Sequence, residues 1–344
     1  MVSRHRIGNS LTCNETGIPY TTHRVSRLLT KQLERTSRAS RPRARDTNDA
    51  RVLVNPNPKT QPEEAFMARL LLVLVLSVVL LALPAPLPSQ LRYSTGGVNN
   101  YPPATCGGPN LSLCVAEARD FQNWFNFAGF RNVTRWENGD VWGSDFRDGT
   151  DTDPSGGSDI AQAYFFSGHG ICENPPTSGS GDFIVTCGNF GKPDVARIGT
   201  SSRWGNSPGQ LRFMFIDASC PMDLASLTTE WFAPFRGLHM ATGHSGDVNH
   251  DTLDSESRGD QFAAHMVGED LVIFGWHITL VPKLPVGSAW MSTGLIDVQS
   301  QVCAVAIAAG NDRNDAINRR ENEFVDSGWS NPTPNWFAWK WICN

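Results

Sequence analysis

Ala163-Tyr164-Phe165-Phe166 is a short apolar run that ends in Ser167-Gly168-His169-Gly170. A run of this length, apolar on both faces and closed by turn residues, predicts a buried strand of a parallel sheet. Leu211-Arg212-Phe213-Met214-Phe215-Ile216 repeats the pattern and ends in Asp217-Ala218-Ser219-Cys220. In an open parallel sheet the strand carboxyl ends share one edge, where α/β proteins build their sites. His169 and Cys220, 51 residues apart, can therefore meet if the two strands are neighbours. That separation fits one strand–helix–strand crossover with extra loop.

Outward from this pair, the same patterning predicts alternating helices and strands. Val115, Ala118, Phe121, Trp124, Phe125 and Ala128 recur at helical spacing, and Gly129 marks a stop. Gly181–Thr186 reads as a short strand inside the crossover, and residues 191–210 as loop. Leu224–Phe235 reads as a helix, Gly237–Thr242 as the next strand, and Arg258–Val267 and Ala289–Val298 as helices. Val302–Ala309 reads as a small-residue strand ending at Gly310. Alternation of this kind predicts an α/β fold with a mainly parallel central sheet and helices on both faces. The chain shows no internal repeat and no phosphate-cradling glycine motif.

Ser167-Gly168-His169-Gly170 resembles the His motif of metacaspases, caspases, legumains and gingipains, and a strand ending in Cys about 50 residues later resembles the nucleophile position of that group. The likeness spans residues 115–310. It implies a three-layer caspase-like sandwich with His169 and Cys220 as a catalytic dyad hydrolysing peptide bonds. By resemblance, the backbone N–H groups of Gly170 and Cys220 would hold the oxyanion, and Asp217 would line a pocket for a basic side chain. The motif departs from metacaspases, which read Asp-x-Cys followed closely by Gly; here Asp217 stands three before Cys220, and Pro221-Met222-Asp223 follows. The chemistry itself is general. A Cys of ordinary pKa (about 8.5) is mostly thiol at neutral pH, and an adjacent imidazole both assists its ionisation and protonates the leaving amine. The alternative from another class is an inactive domain of the same fold that binds a protein or glycan outside the cell.

Charge divides the chain. Residues 1–66 carry 12 Lys and Arg against 6 acids, and the remainder carries 17 against 28. An acidic body lacks the positive footprint that phosphate backbones require, which excludes nucleic acid as an expected partner. Met67-Ala68-Arg69 precedes an apolar run over 70–83, then Pro84-Ala85-Pro86-Leu87-Pro88-Ser89. Residues 67–89 therefore read as a secretory signal peptide, too short for a comfortable membrane span. Met67 reads as the true initiator, with 1–66 a disordered basic leader. The rival is a single-pass signal-anchor protein with a basic cytoplasmic tail. The protein is thus expected to be secreted or at the cell surface. Residues 90–114 read as an extended lead-in, 115–310 as the domain, and 311–344 as a Trp-rich extension packing on the sheet edge.

Export favours disulfides. With Cys13 in the leader and Cys220 assigned as nucleophile, Cys106, Cys114, Cys172, Cys187, Cys303 and Cys343 remain. Proximity favours Cys106–Cys114, Cys172–Cys187 and Cys303–Cys343, among 15 pairings that six cysteines allow. A disulfide at Cys220 would strand one of these six, and on that ground Cys220 is expected to be the unpaired thiol. No cofactor is required. Asp151, Asp153 and Asp159 fall on calcium-loop positions, but Gln162 replaces the bidentate Glu, so solvated acidic turns are the plainer expectation. His239, His244 and His250 have no recognised metal spacing and read as solvated loop residues.

Overall fold

The computed structural model describes residues 90–101, 109–146, 157–171, 183–187, 193–205, 210–224, 227–250, 258–273, 276–296 and 302–343. These fall in the compact unit that contains Pro88–Asn344. The leader 1–66 and the segment 67–89 lie outside the described residues.

The architecture is α/β, three layers around a mostly parallel sheet. Seven strands build the sheet among the described residues: β1 (Arg92–Gly97), β2 (Arg131–Glu137), β3 (Ala163–Ser167), β6 (Phe213–Asp217), β7 (Met240–Ser245), β10 (Cys303–Gly310) and β11 (Trp336–Cys343). Their order is β11-β10-β7-β6-β3-β1-β2. The five from β2 to β7 run parallel, and β10 and β11 are antiparallel to their neighbours. Between β3 and β6 the chain forms an antiparallel pair, β4 (Phe183–Cys187) with β5 (Pro193–Ala196); a second pair, β8 (Glu269–Ile273) with β9 (Trp276–Val281), stands apart from the main sheet.

Strand periodicity assigns the two cores. Tyr164, Phe166, Met214, Ile216, Val305 and Ile307 pack with Trp204, Trp231 and Phe235 on one face. The intervening Phe165, Phe213, Phe215 and Met240 pack on the other face with Phe121, Phe125, Phe262 and Trp290. Each such buried ring contributes roughly 1.5–3 kcal/mol of transfer free energy. The second face is covered by α1 (Cys114–Phe127), α4 (Arg258–Val267), α5 (Val286–Ile296) and α6 (Arg313–Asn322). The first is covered by loops and single turns, among them α2 (Ile198–Ser201) and α3 (Leu227–Glu230).

Helix α1 ends where Gly129 was expected to stop it. Gly129 has φ +80°; its N–H donates to the Asn126 carbonyl, and the Phe130 N–H donates to that of Phe125. This double closure, with a left-handed glycine just past the end, satisfies the last carbonyls of the helix.

Two expectations change. The helix over 224–235 is reduced to the one turn of α3, because Pro234 cannot continue a helix and Trp231 and Phe235 are drawn into the core beside Trp204. The lead-in contains β1, second from the β2 edge of the sheet and directly between β2 and β3. Its Gly97 is required there, since a Cβ would fall 2.8 Å from the Cys114 carbonyl and 2.9 Å from the Val115 Cα of α1. The Trp-rich tail adds to the edge as β11, and Cys303–Cys343, paired across β10 and β11, is a disulfide. Among the described residues no helix is long and apolar enough to cross a membrane.

Candidate active site

Strands β3 and β6 are parallel neighbours in register from Ala163↔Phe213 to Ser167↔Asp217. Their ends stay together beyond the ladder. The Gly168 N–H donates to the Asp217 carbonyl at 3.1 Å, and a Cβ on Gly170 would fall 1.8 Å from the Ser219 carbonyl oxygen. Only glycine fits against that turn. The segments carrying His169 and Cys220 thus lie side by side at the carboxyl edge of the sheet.

His169 is held from three directions. Its Nε2 lies 2.7 Å from the Pro109 carbonyl oxygen. A carbonyl only accepts, so Nε2 carries the proton and, in the neutral ring, Nδ1 carries the lone pair. The ring packs on Tyr101 with centroids 4.4 Å apart, and the His169 N–H donates to the Tyr101 hydroxyl at 2.9 Å. Burial pushes the Tyr101 hydroxyl far above the ordinary tyrosine range, so it stays a neutral phenol.

Cys220 sits on a turn with φ +57°. A non-glycine residue there costs about 1–2 kcal/mol, and such strain concentrates at functional turns. Loop 245–248 wraps this turn. The Cys220 N–H donates to the Gly246 carbonyl at 2.9 Å, the Ser219 hydroxyl donates to Asp247 at 2.8 Å, and the Val248 N–H donates to the Ser219 hydroxyl. The Cys220 amide is therefore engaged and is not presented as an oxyanion donor.

The cysteine assignment is corrected in two respects. Cys220 is disulfide-bonded, and the free thiol among the described residues is Cys114, which is buried. The expectation that Cys220 is the unpaired thiol is thus overturned. The expected Cys106–Cys114 bridge is thereby excluded, while Cys106, Cys172 and the side chain of Cys187 lie outside the described residues.

Asp217 does not line a pocket. It is fully buried, with both carboxylate oxygens 3.0 Å from Arg258 Nε and His244 Nε2 3.2 Å from Oδ1. Burial alone would raise its pKa, but Arg258 first, with His250 and His244, holds it far below the usual carboxylate range. Around this pair is a polar cluster the sequence did not announce. Ser167 donates to Glu117 Oε2 at 2.5 Å; His250 Nδ1 lies 3.1 Å from the same oxygen. Arg258 Nη2 lies 2.9 Å from His250 Nδ1 and 3.6 Å from Glu117. Burial works against a charge on His250, but Cys114, Glu117 and Asp217 outweigh both burial and Arg258 and hold its pKa well above the ordinary value. In that imidazolium the Nδ1–H belongs to Glu117, and Arg258 is retained by Asp217 and the Asn249 carbonyl.

The three histidines expected in solvated loops are not solvated. His239, His244 and His250 are all buried; His239 pairs with Glu323 at 2.5 Å near the opposite end of β7. Asp159, one of the calcium candidates, is buried and uses Oδ1 to accept the N–H groups of Gly205 and Leu211, which pins a loop. Asp151 and Asp153 lie outside the described residues.

A family model described as a domain of unknown function (DUF6345) matches residues 95–342. No curated protein and no solved structure matches the chain.

Proposed function

We propose, for a chain that belongs to the DUF6345 family, that His169 and Cys220 form the site of an exported, caspase-like cysteine peptidase held latent by oxidation. The observation that carries this reading is the oriented imidazole. His169 is fixed by the Pro109 carbonyl at 2.7 Å, on a strand end packed directly against the turn of Cys220. A base oriented by a third group beside a sulfur on a strained turn is the arrangement that activates a thiol.

In the oxidised form Cys220 has no thiolate to offer. Attack by an external dithiol on the Cys220 disulfide forms a mixed disulfide; the second reductant thiol then displaces the protein sulfur. The protein disulfide becomes two thiols as the dithiol becomes a disulfide. His169 Nδ1 then takes the Cys220 proton, the thiolate attacks a peptide carbonyl, and the imidazolium returns the proton to the departing amine. Water hydrolyses the thioester in the second half-reaction. The Gly170 N–H is the donor we assign to the oxyanion, an interaction worth roughly 3–4 kcal/mol. The substrate is a peptide or protein, and the chemistry requires no metal or organic cofactor.

A second reading is favoured by the same disulfide together with the engaged Cys220 amide. In it the fold is a scaffold that binds a protein or glycan outside the cell. Iodoacetamide labelling across pH separates the two. After mild reduction, catalysis requires Cys220 to label with an apparent pKa well below about 8.5, rising in His169→Ala. A Cys220 that resists reduction, or labels with an ordinary pKa unaffected by His169, leaves the scaffold.

A further inference from the structure

We infer that Cys114, Glu117 and His250 form a binding site for a divalent metal ion of the zinc class. This is independent of the peptidase reading. Cys114 and Glu117 are three residues apart on the first turn of α1, a spacing that puts two side chains on one face. His250 arrives from the loop after β7. One ligand atom from each lies within 4.8 Å of the other two, and all three residues are buried.

Two further observations point to a ligand. His250 Nε2 is buried and has no hydrogen-bond partner, although buried polar atoms are nearly always satisfied. Cys114 remains a free thiol in a protein that oxidises Cys220 and Cys303–Cys343. A thiolate, an imidazole and a carboxylate together suit zinc and its borderline neighbours, and not calcium or magnesium, which take oxygen ligands.

Arg258 is the competing cation, and its position decides whether a metal is tolerable. Its shortest carboxylate contacts go to Asp217, at 3.0 Å to each oxygen, against 3.6 Å to Glu117. Asp217 thus balances Arg258. Glu117 and a Cys114 thiolate remain as two negative ligands for one divalent cation, whose binding displaces the Cys114 thiol proton and the Nε2 proton of the His250 imidazolium. Ser167, which donates to Glu117 at 2.5 Å, would orient the carboxylate, the usual part of a group just outside the metal. A metal here would tie α1 to the loop that wraps the Cys220 turn.

The test uses the full chain kept oxidised, so that disulfide-bonded sulfurs cannot ligate. Metal content is measured on protein purified with Zn2+; after chelation, Co2+ is added and thiolate-to-cobalt charge-transfer absorption is recorded. We expect one zinc per chain and a cobalt charge-transfer band that disappears in Cys114→Ser. His250→Gln, a second variant in case the first misfolds, is expected to lower cobalt affinity by at least about 100-fold, beyond the 10–100-fold typical of an outer partner. Folded wild-type protein that retains no zinc and gives no band overturns the proposal. So does a band that survives Cys114→Ser unchanged.

Discussion

Arg258→Met is expected to destabilise the fold by about 3–5 kcal/mol, the range for stripping one partner from a buried ion pair. The side chain is 8 % exposed and Asp217 is 0 % exposed, so water cannot replace the guanidinium. The substitution keeps most of the apolar stem and volume, and the loss therefore reports the charge. Its pH dependence is a sharper signature. In the native protein the Asp217 carboxyl is held far below its ordinary value by Arg258 and the two histidines. A depressed carboxyl stabilises the fold above its unfolded pKa of about 3.9 and loses that contribution as pH falls below it. Without Arg258 only His250 and His244 oppose burial, and the native pKa moves up. The stability that the Asp217 carboxylate adds above about pH 4 should then shrink. Denaturant titrations of both proteins between pH 3 and 7 measure the two slopes. An unchanged midpoint with an unchanged slope would mean that the pair contributes nothing.

The second large effect lies in the chemistry. On reduced protein, His169→Ala should lower kcat/KM for peptide hydrolysis by about 10²–10⁴-fold, the range for losing a positioned general acid/base. The pH–rate profile should change with it, losing the limb that reports imidazole ionisation. Tyr101→Phe should do less, because it removes only the acceptor of the His169 N–H and leaves the Pro109 contact. A His169→Ala variant as fast as the parent, with the same profile, would remove His169 from the mechanism while leaving Cys220 to be explained.

Legibility of the fold tracked the strength of the local pattern. β3 and β6 are continuous apolar runs closed by turn residues, and their order along the chain sufficed to bring His169 and Cys220 to one edge. β1 was illegible as a sheet strand because Arg92-Tyr93-Ser94-Thr95-Gly96-Gly97 has no apolar alternation. Its identity is dictated by tertiary approach, with Gly97 against α1 and Gly96 under the Tyr164 ring. The segment 224–235 has helical spacing, but its apolar residues serve a loop layer that only the assembled core defines.

The polar cluster shows where sequence reading runs out. Arg258 meets Asp217 across 41 residues and His250 meets Glu117 across 133, and no periodicity encodes such meetings. One signal was present: Cys114 and Glu117, three apart, sit on the buried face of an otherwise apolar helix pattern. The cysteine parity argument failed for a related reason. Counting establishes that one thiol is left over, but pairing depends on distances the count does not contain.

The central claim is that reduction of Cys220 releases a peptidase, and hydrolysis of a peptide library by matched oxidised and reduced samples tests it most directly. Cleavage that appears only in the reduced wild-type protein, and is absent from reduced Cys220→Ala, is the predicted result. No cleavage by folded protein whose Cys220 thiol has been shown to be free would contradict it and leave the domain as a scaffold.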